Sequence, residues 1–180
     1  MKKRNTTLSI VLIALFTALT ILGTMLKIPL PTGAFAHLGN AVLLLAVLLL
    51  GYTRGALAGG LGFAIFDLMN GFAAEAPYFF FESFIVGGAA ALVIAAFHNN
   101  IDSFKKLITV AVVTGLTKIL MTQLKNTAFA MIAGSSFNLA FTGSFSMLLA
   151  TVLNVITTII IVSFAYFPLK RAMQTIFREY

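Results

Sequence analysis

The chain has 180 residues, 60% of them hydrophobic and only 9% charged, with a mean hydropathy of +1.03. Soluble domains carry about a quarter charged residues, so an ordinary cytosolic enzyme and a disordered chain are both excluded. The absence of cysteine excludes a disulfide framework, thiolate catalysis and Cys-based zinc or iron–sulfur sites.

A helix needs about 20 apolar residues to cross the hydrocarbon core, and six apolar stretches stand out. In chain order they cover about residues 8–26, 40–50, 56–72, 78–97, 107–132 and 145–167. The second is short. Gly51-Tyr52-Thr53-Arg54-Gly55 separates it from the third and reads as a turn, because a charge flanked by glycines is cheapest in water. Two short spans are therefore expected instead of one bent hairpin. Lys2-Lys3-Arg4 resembles the start of a signal peptide. The apolar run that follows is too long for one, however, and Lys27-Ile28-Pro29 is no small-residue cleavage site.

The net charge of +7 follows the spans. Lys2, Lys3, Arg4, Arg54, Lys105, Lys106, Lys170, Arg171 and Arg178 fall on one side of a six-span arrangement. Lys27 falls in a loop on the other, and Lys118 and Lys125 lie within the fifth span. Cytoplasmic loops carry the excess of Lys and Arg, so both termini are predicted to be cytoplasmic. Nucleic acid is excluded as a partner, since its footprint is a clustered basic face on a folded soluble domain. The inner loops (51–55, 98–103) are short. The outer loops (27–39, 71–77, 133–143) are longer and apolar, and they are expected to fold back as a lid over a small-molecule pocket. The predicted fold class is an all-α integral membrane protein, one domain over residues 1–180 with six transmembrane helices.

Ionisable groups inside a membrane need a partner or a purpose. Asp67 lies about 12 residues into the third span, roughly 18 Å along the helix, and Lys118 lies at a comparable depth in the fifth. An Asp67–Lys118 ion pair would staple two helices, and either group can also line a pocket floor. Glu82 is one turn into the fourth span. Asn70 and Glu75 mark the outer end of the third, and Lys125 and Asn126 lie in the outer half of the fifth. These groups gather at one membrane face, although Lys125 can also snorkel to headgroups and Glu75 can also be a solvated loop carboxylate. With two histidines, His37 and His98, on opposite sides, no metal site is expected; His37 reads as a hydrogen-bonding pocket or loop residue. Asn40 is placed to cap the second helix. Tyr78-Phe79-Phe80-Phe81 reads as an interfacial aromatic belt or as a wall on which a planar ring can stack. Gly55, Ala56, Ala58, Gly59, Gly60 and Gly62 form small-residue repeats that suit close helix packing, and Ala14 and Ala18 form a separate pair. No Gly-x-Ser-x-Gly elbow, His-Glu-x-x-His or Walker P-loop is present, so any ATP hydrolysis belongs to another subunit and no enzymatic activity or cofactor is expected.

One connected pattern runs from Lys27 to about Gly88: Lys27-Ile28-Pro29-Leu30-Pro31-Thr32-Gly33, His37-Leu38-Gly39-Asn40-Ala41-Val42, Leu50-Gly51, Gly55-Ala56-Leu57-Ala58-Gly59-Gly60-Leu61-Gly62 and Phe66-Asp67-Leu68. It resembles the S components of energy-coupling factor (ECF) vitamin transporters, in the branch with riboflavin-type and hydroxymethylpyrimidine/pyridoxine-type members. The family pattern carries Asp where this chain has Asn40. The resemblance implies a six-helix protein of the bacterial cell membrane that binds a vitamin from outside. It implies docking on a transmembrane coupling (T) subunit that carries two cytoplasmic ATPases, and delivery by toppling in the bilayer. It also implies that Ala14-Leu15-Phe16-Thr17-Ala18 contacts the coupling subunit. The expected substrate-binding set is His37, Asn40, Asp67, Asn70, Tyr78, Glu82, Lys118, Lys125 and Asn126. Lys118 or Lys125 would donate to a ring nitrogen or hydroxyl, and Asp67 or Glu82 would accept from hydroxymethyl groups. That balance points to pyridoxine or hydroxymethylpyrimidine, with riboflavin next. Rival readings are an ion-gradient-driven transporter or channel, with Asp67 and Glu82 as proton or cation sites, and a lipid-modifying membrane enzyme. Against these stand the lack of an evident inverted repeat and the lack of a carboxylate motif.

Overall fold

A computed structural model describes residues 6–30 and 35–179, with side chains through Thr175. Lys2, Lys3 and Arg4, the loop residues Pro31, Thr32, Gly33 and Ala34, and the Arg178 side chain lie outside the described residues.

Each apolar run becomes a helix: α1 (Thr6–Met25), α2 (Gly39–Leu50), α3 (Tyr52–Met69), α4 (Ala76–Ala96), α5 (Phe104–Ile132) and α7 (Leu148–Glu179), the last running well past the expected end near Phe167. Among the described residues, four helical stretches are long and apolar enough to cross a membrane: α1, α4, α5 and the stretch Phe137–Thr175 that ends in α7. The apolar α2 is shorter.

Three local expectations are corrected. The first outer loop contains a two-stranded antiparallel hairpin, β1 (Lys27–Pro29) and β2 (Phe35–His37), in which Lys27 faces His37 and Pro29 faces Phe35. The third outer loop winds into α6 (Phe137–Ser144), followed by a 3₁₀ turn at Phe145–Met147. The turn expected over 51–55 contracts to Gly51, with Arg54 and Gly55 inside the first turn of α3. Gly51 adopts φ +89°, a left-handed conformation that costs glycine little, so the chain reverses within one residue. The reversal presses α3 onto α2, and a Cβ on Gly55 would stand 2.4 Å from the Val47 backbone. Only glycine tolerates that approach.

Around an apolar core, the chain buries several polar groups and exposes many large apolar ones. Thr20, Asp67, Glu82, Ser83, Gln123, Thr127 and Asn154 are buried, whereas Leu22, Leu92, Leu116, Ile132 and Phe164 are exposed. Lipid explains this pattern: it solvates the apolar exterior and leaves polar groups to find partners inside. α2 marks the centre of the fold. It is apolar around nearly its whole circumference, with Ala41, Leu43, Leu44, Leu45, Ala46, Val47 and Leu50 all buried, and it packs against α1, α3, α4 and α7. A helix apolar on every side belongs in the middle of a bundle. α1 is two-faced. Leu12, Phe16, Thr20 and Gly23 turn inward, while Ile10, Ala14, Leu15, Ala18 and Leu22 stay exposed.

Candidate ligand-binding site

The hairpin, the α3–α4 connection, α4, α5 and α7 enclose a cavity of about 500 Å³. α5 supplies one wall from Lys118, Thr122, Lys125, Asn126 and Phe129, positions three and four apart that share one helix face. α7 supplies Ala150, Thr151 and Asn154 on the same spacing, with Met147 just before it. Phe35 and His37 come from β2, Asp67 from the last turn of α3, Phe72 and Glu75 from the connection, and Phe79 from α4.

Both lysines are already paired. Lys118 Nζ donates to Glu82 Oε2, a carboxylate 3% exposed. The expected Asp67–Lys118 pair is therefore replaced by Glu82–Lys118. Tyr78 lies behind the same carboxylate, its hydroxyl proton shared between Glu82 Oε1 at 3.0 Å and the Met121 carbonyl at 2.9 Å. Lys125 Nζ donates to Glu75 Oε2. The two ammonium groups flank the Phe79 ring, at 4.9 Å and 4.8 Å from its centroid, a placement that adds cation–π attraction. Each lysine thus has a carboxylate and an aromatic face, and neither stands ready for an anionic group.

Asn154 joins the hairpin to the bundle. Its Oδ1 accepts the His37 N–H at 2.7 Å, and its Nδ2 donates to the Phe35 carbonyl at 3.4 Å. The Leu38 N–H donates to the Gly23 carbonyl at 2.8 Å and ties the hairpin to α1. At the outer edge, Lys27 Nζ sits over the rings of Phe35, Phe66 and Phe72, within 5.1 to 5.9 Å of their centroids. Burial, reinforced by the charge of Lys118, holds the His37 imidazole far below the usual histidine range, at about 3. His37 is therefore neutral at physiological pH. Its Nδ1 accepts the Gly39 N–H at 3.1 Å, which assigns the ring proton to Nε2 and leaves that edge as a donor.

Of the expected set, His37, Asp67, Lys118, Lys125 and Asn126 line this cavity together. Four others do not. Tyr78 and Glu82 stand behind its wall, holding Lys118 and the α5 backbone. Asn70 is exposed at the end of α3, where its Nδ2 donates to the Phe66 carbonyl. Asn40 borders a separate small void of about 20 Å³ beside Leu43, Thr114, Lys118 and Thr158. Nor does Asn40 cap α2: the helix begins one residue earlier, at Gly39, and its N-cap Leu38 makes no side-chain cap bond. Thr122, Thr151 and Asn154 were not anticipated. The available signal was their spacing from Lys118, Lys125 and Met147, which puts them on the faces already carrying polar or pocket groups. His98 lies at the far end of α4, away from His37. Among the described residues no group of three or more His, Cys, Asp or Glu could hold a metal ion.

Comparison with curated proteins finds no match. The sequence profile described as ECF-type riboflavin transporter, S component, matches residues 4–171, which includes every residue that lines the cavity. The chain belongs to this S-component family, as the multi-pass membrane subunit that binds substrate for an ECF vitamin transporter rather than an enzyme, alongside T and ATPase partners.

Proposed function

We propose that the chain takes up a flat heteroaromatic vitamin from outside the cell, riboflavin ahead of pyridoxine and hydroxymethylpyrimidine. The cavity carries this reading. At about 500 Å³ it falls within the roughly 300–1,000 Å³ typical of drug-sized ligands, which favours a fused-ring ligand over a single pyridine or pyrimidine ring. Phe35, Phe72, Phe79 and Phe129 offer apolar faces, and Thr122, Asn126, Thr151 and the His37 edge offer neutral polar contacts. Paired lysines suit an uncharged ligand. The description of the matched family, which names riboflavin, supports the same order. The test is to purify the chain, identify co-purified small molecules by mass spectrometry, and follow with calorimetry against the three vitamins. Binding of riboflavin is expected; binding of none of them overturns the reading.

In this reading the helices form six spans with both termini in the cytoplasm, α2 and α3 being the short ones, and the cavity faces outward. The ligand moves inward when the protein docks on the coupling subunit and topples. Ala14 and Ala18 support the docking surface, since both are exposed on α1 and small side chains one turn apart let a second helix approach closely. Ala14→Leu is expected to leave vitamin affinity unchanged and to abolish ATP-dependent uptake in reconstituted vesicles. Lost affinity in a normally assembled protein would contradict this assignment, and uptake driven by an ion gradient without ATPase subunits would favour a secondary transporter.

A further inference from the structure

We infer that Asp67 is the specificity-determining acceptor of the cavity, receiving an N–H or O–H group from the ligand. The inference rests on the cavity being the vitamin site and deepens that reading. Asp67 is only 5% exposed, lines the cavity, and leaves Oδ2 without a hydrogen-bond partner among the described residues. It joins no ion pair there either, because the nearby ammonium groups are committed elsewhere: Lys118 to Glu82 and Lys125 to Glu75. Lys27, the charge at the rim, rests over aromatic rings.

A buried carboxylate without partners is costly to the folded protein. A group that serves stability is expected to be paired in the resting fold, as Glu75 and Glu82 are. An unpaired one has its partner supplied from outside, and buried polar groups of this kind reject ligands that lack the matching donor far more strongly than apolar walls can. Glu75, which also lines the cavity, and Glu82 accept from lysine, so Asp67 is the lining carboxylate without a lysine partner among the described residues. The preferred substrate therefore presents a hydrogen-bond donor at this edge of its ring system, and a ligand carrying only acceptors there is refused.

The stability argument gives a readout that a merely structural aspartate would move the other way. Asp67→Asn keeps the shape and an acceptor oxygen but removes the charge. It is expected to weaken binding of riboflavin, or of whichever compound co-purifies, by about tenfold, and Asp67→Ala by about 10- to 100-fold, the range for hydrogen bonds to charged groups. In the ligand-free protein Asp67→Asn is expected to raise Tm by about 2–4 °C, since the unpaired charge is gone. Unchanged affinity overturns the assignment, and so does a ligand-free Tm that fails to rise. Failure of the vitamin reading has a different signature: the wild-type protein ignores all three vitamins, and Asp67 is then judged on the co-purified compound and on the ligand-free Tm.

Discussion

Glu82→Ala is expected to destabilise the protein by about 3–5 kcal/mol, the range for removing one partner of a buried ion pair. Two groups depend on this carboxylate. Lys118 loses the acceptor for its ammonium, and Tyr78 loses one of its two acceptors. α4 also loses a direct tie to α5, because Glu82 and Lys118 belong to those two helices. The unpaired Lys118 would then face the cavity as a free cation, since it lines that wall. The double variant Glu82→Leu/Lys118→Met removes both charges and is expected to recover most of the lost stability, as apolar replacements of buried pairs do. The chain contains neither Trp nor Cys, so helix loss followed by circular dichroism in detergent is the suitable measurement. A Glu82→Ala protein as stable as wild type would mean that the pair is not formed in the membrane.

Asn154→Leu is expected to speed ligand release by about 10- to 100-fold while changing global stability little. Two hydrogen bonds between α7 and the hairpin disappear, and the His37 N–H is left unpaired. Each such bond contributes about 1 kcal/mol net, with a further cost for the orphaned donor. The loss falls on a hairpin of three-residue strands, and a two-stranded ribbon this short is marginal without tertiary support. Ordering of the hairpin should therefore govern how long a ligand stays, which is where most affinity differences between related complexes arise. Stopped-flow displacement of bound vitamin reads the effect. An unchanged dissociation rate would show that the Leu38–Gly23 bond and the Lys27 ring contacts hold the hairpin without Asn154.

The depth of the polar residues was legible because depth is a local property of an apolar run. Asp67, Lys118, Lys125 and Asn126 were singled out as polar residues in the apolar spans, and all four line the cavity. Asn70, chosen by the same rule, does not line the cavity: it ends α3, where it is exposed and its Nδ2 bonds the Phe66 carbonyl of its own helix. Asn154 escaped notice for the converse reason. It lies in the second turn of α7 within an apolar stretch, and its meaning depends on Phe35 and His37, more than a hundred positions earlier.

Composition and the length of the apolar runs determined the class and the place of each apolar helix, since lipid rewards uninterrupted apolar helices and the backbone hydrogen bonds stay within each one. The tertiary structure decided the partners. Comparable depth in the spans pairs Lys118 with Asp67, but the packing of α4 against α5 gives it Glu82 instead. That choice leaves Asp67 without a lysine partner among the described residues. An ion pair forms only where helix rotation and neighbour order bring its two groups together, and neither is written in the hydropathy of a single helix.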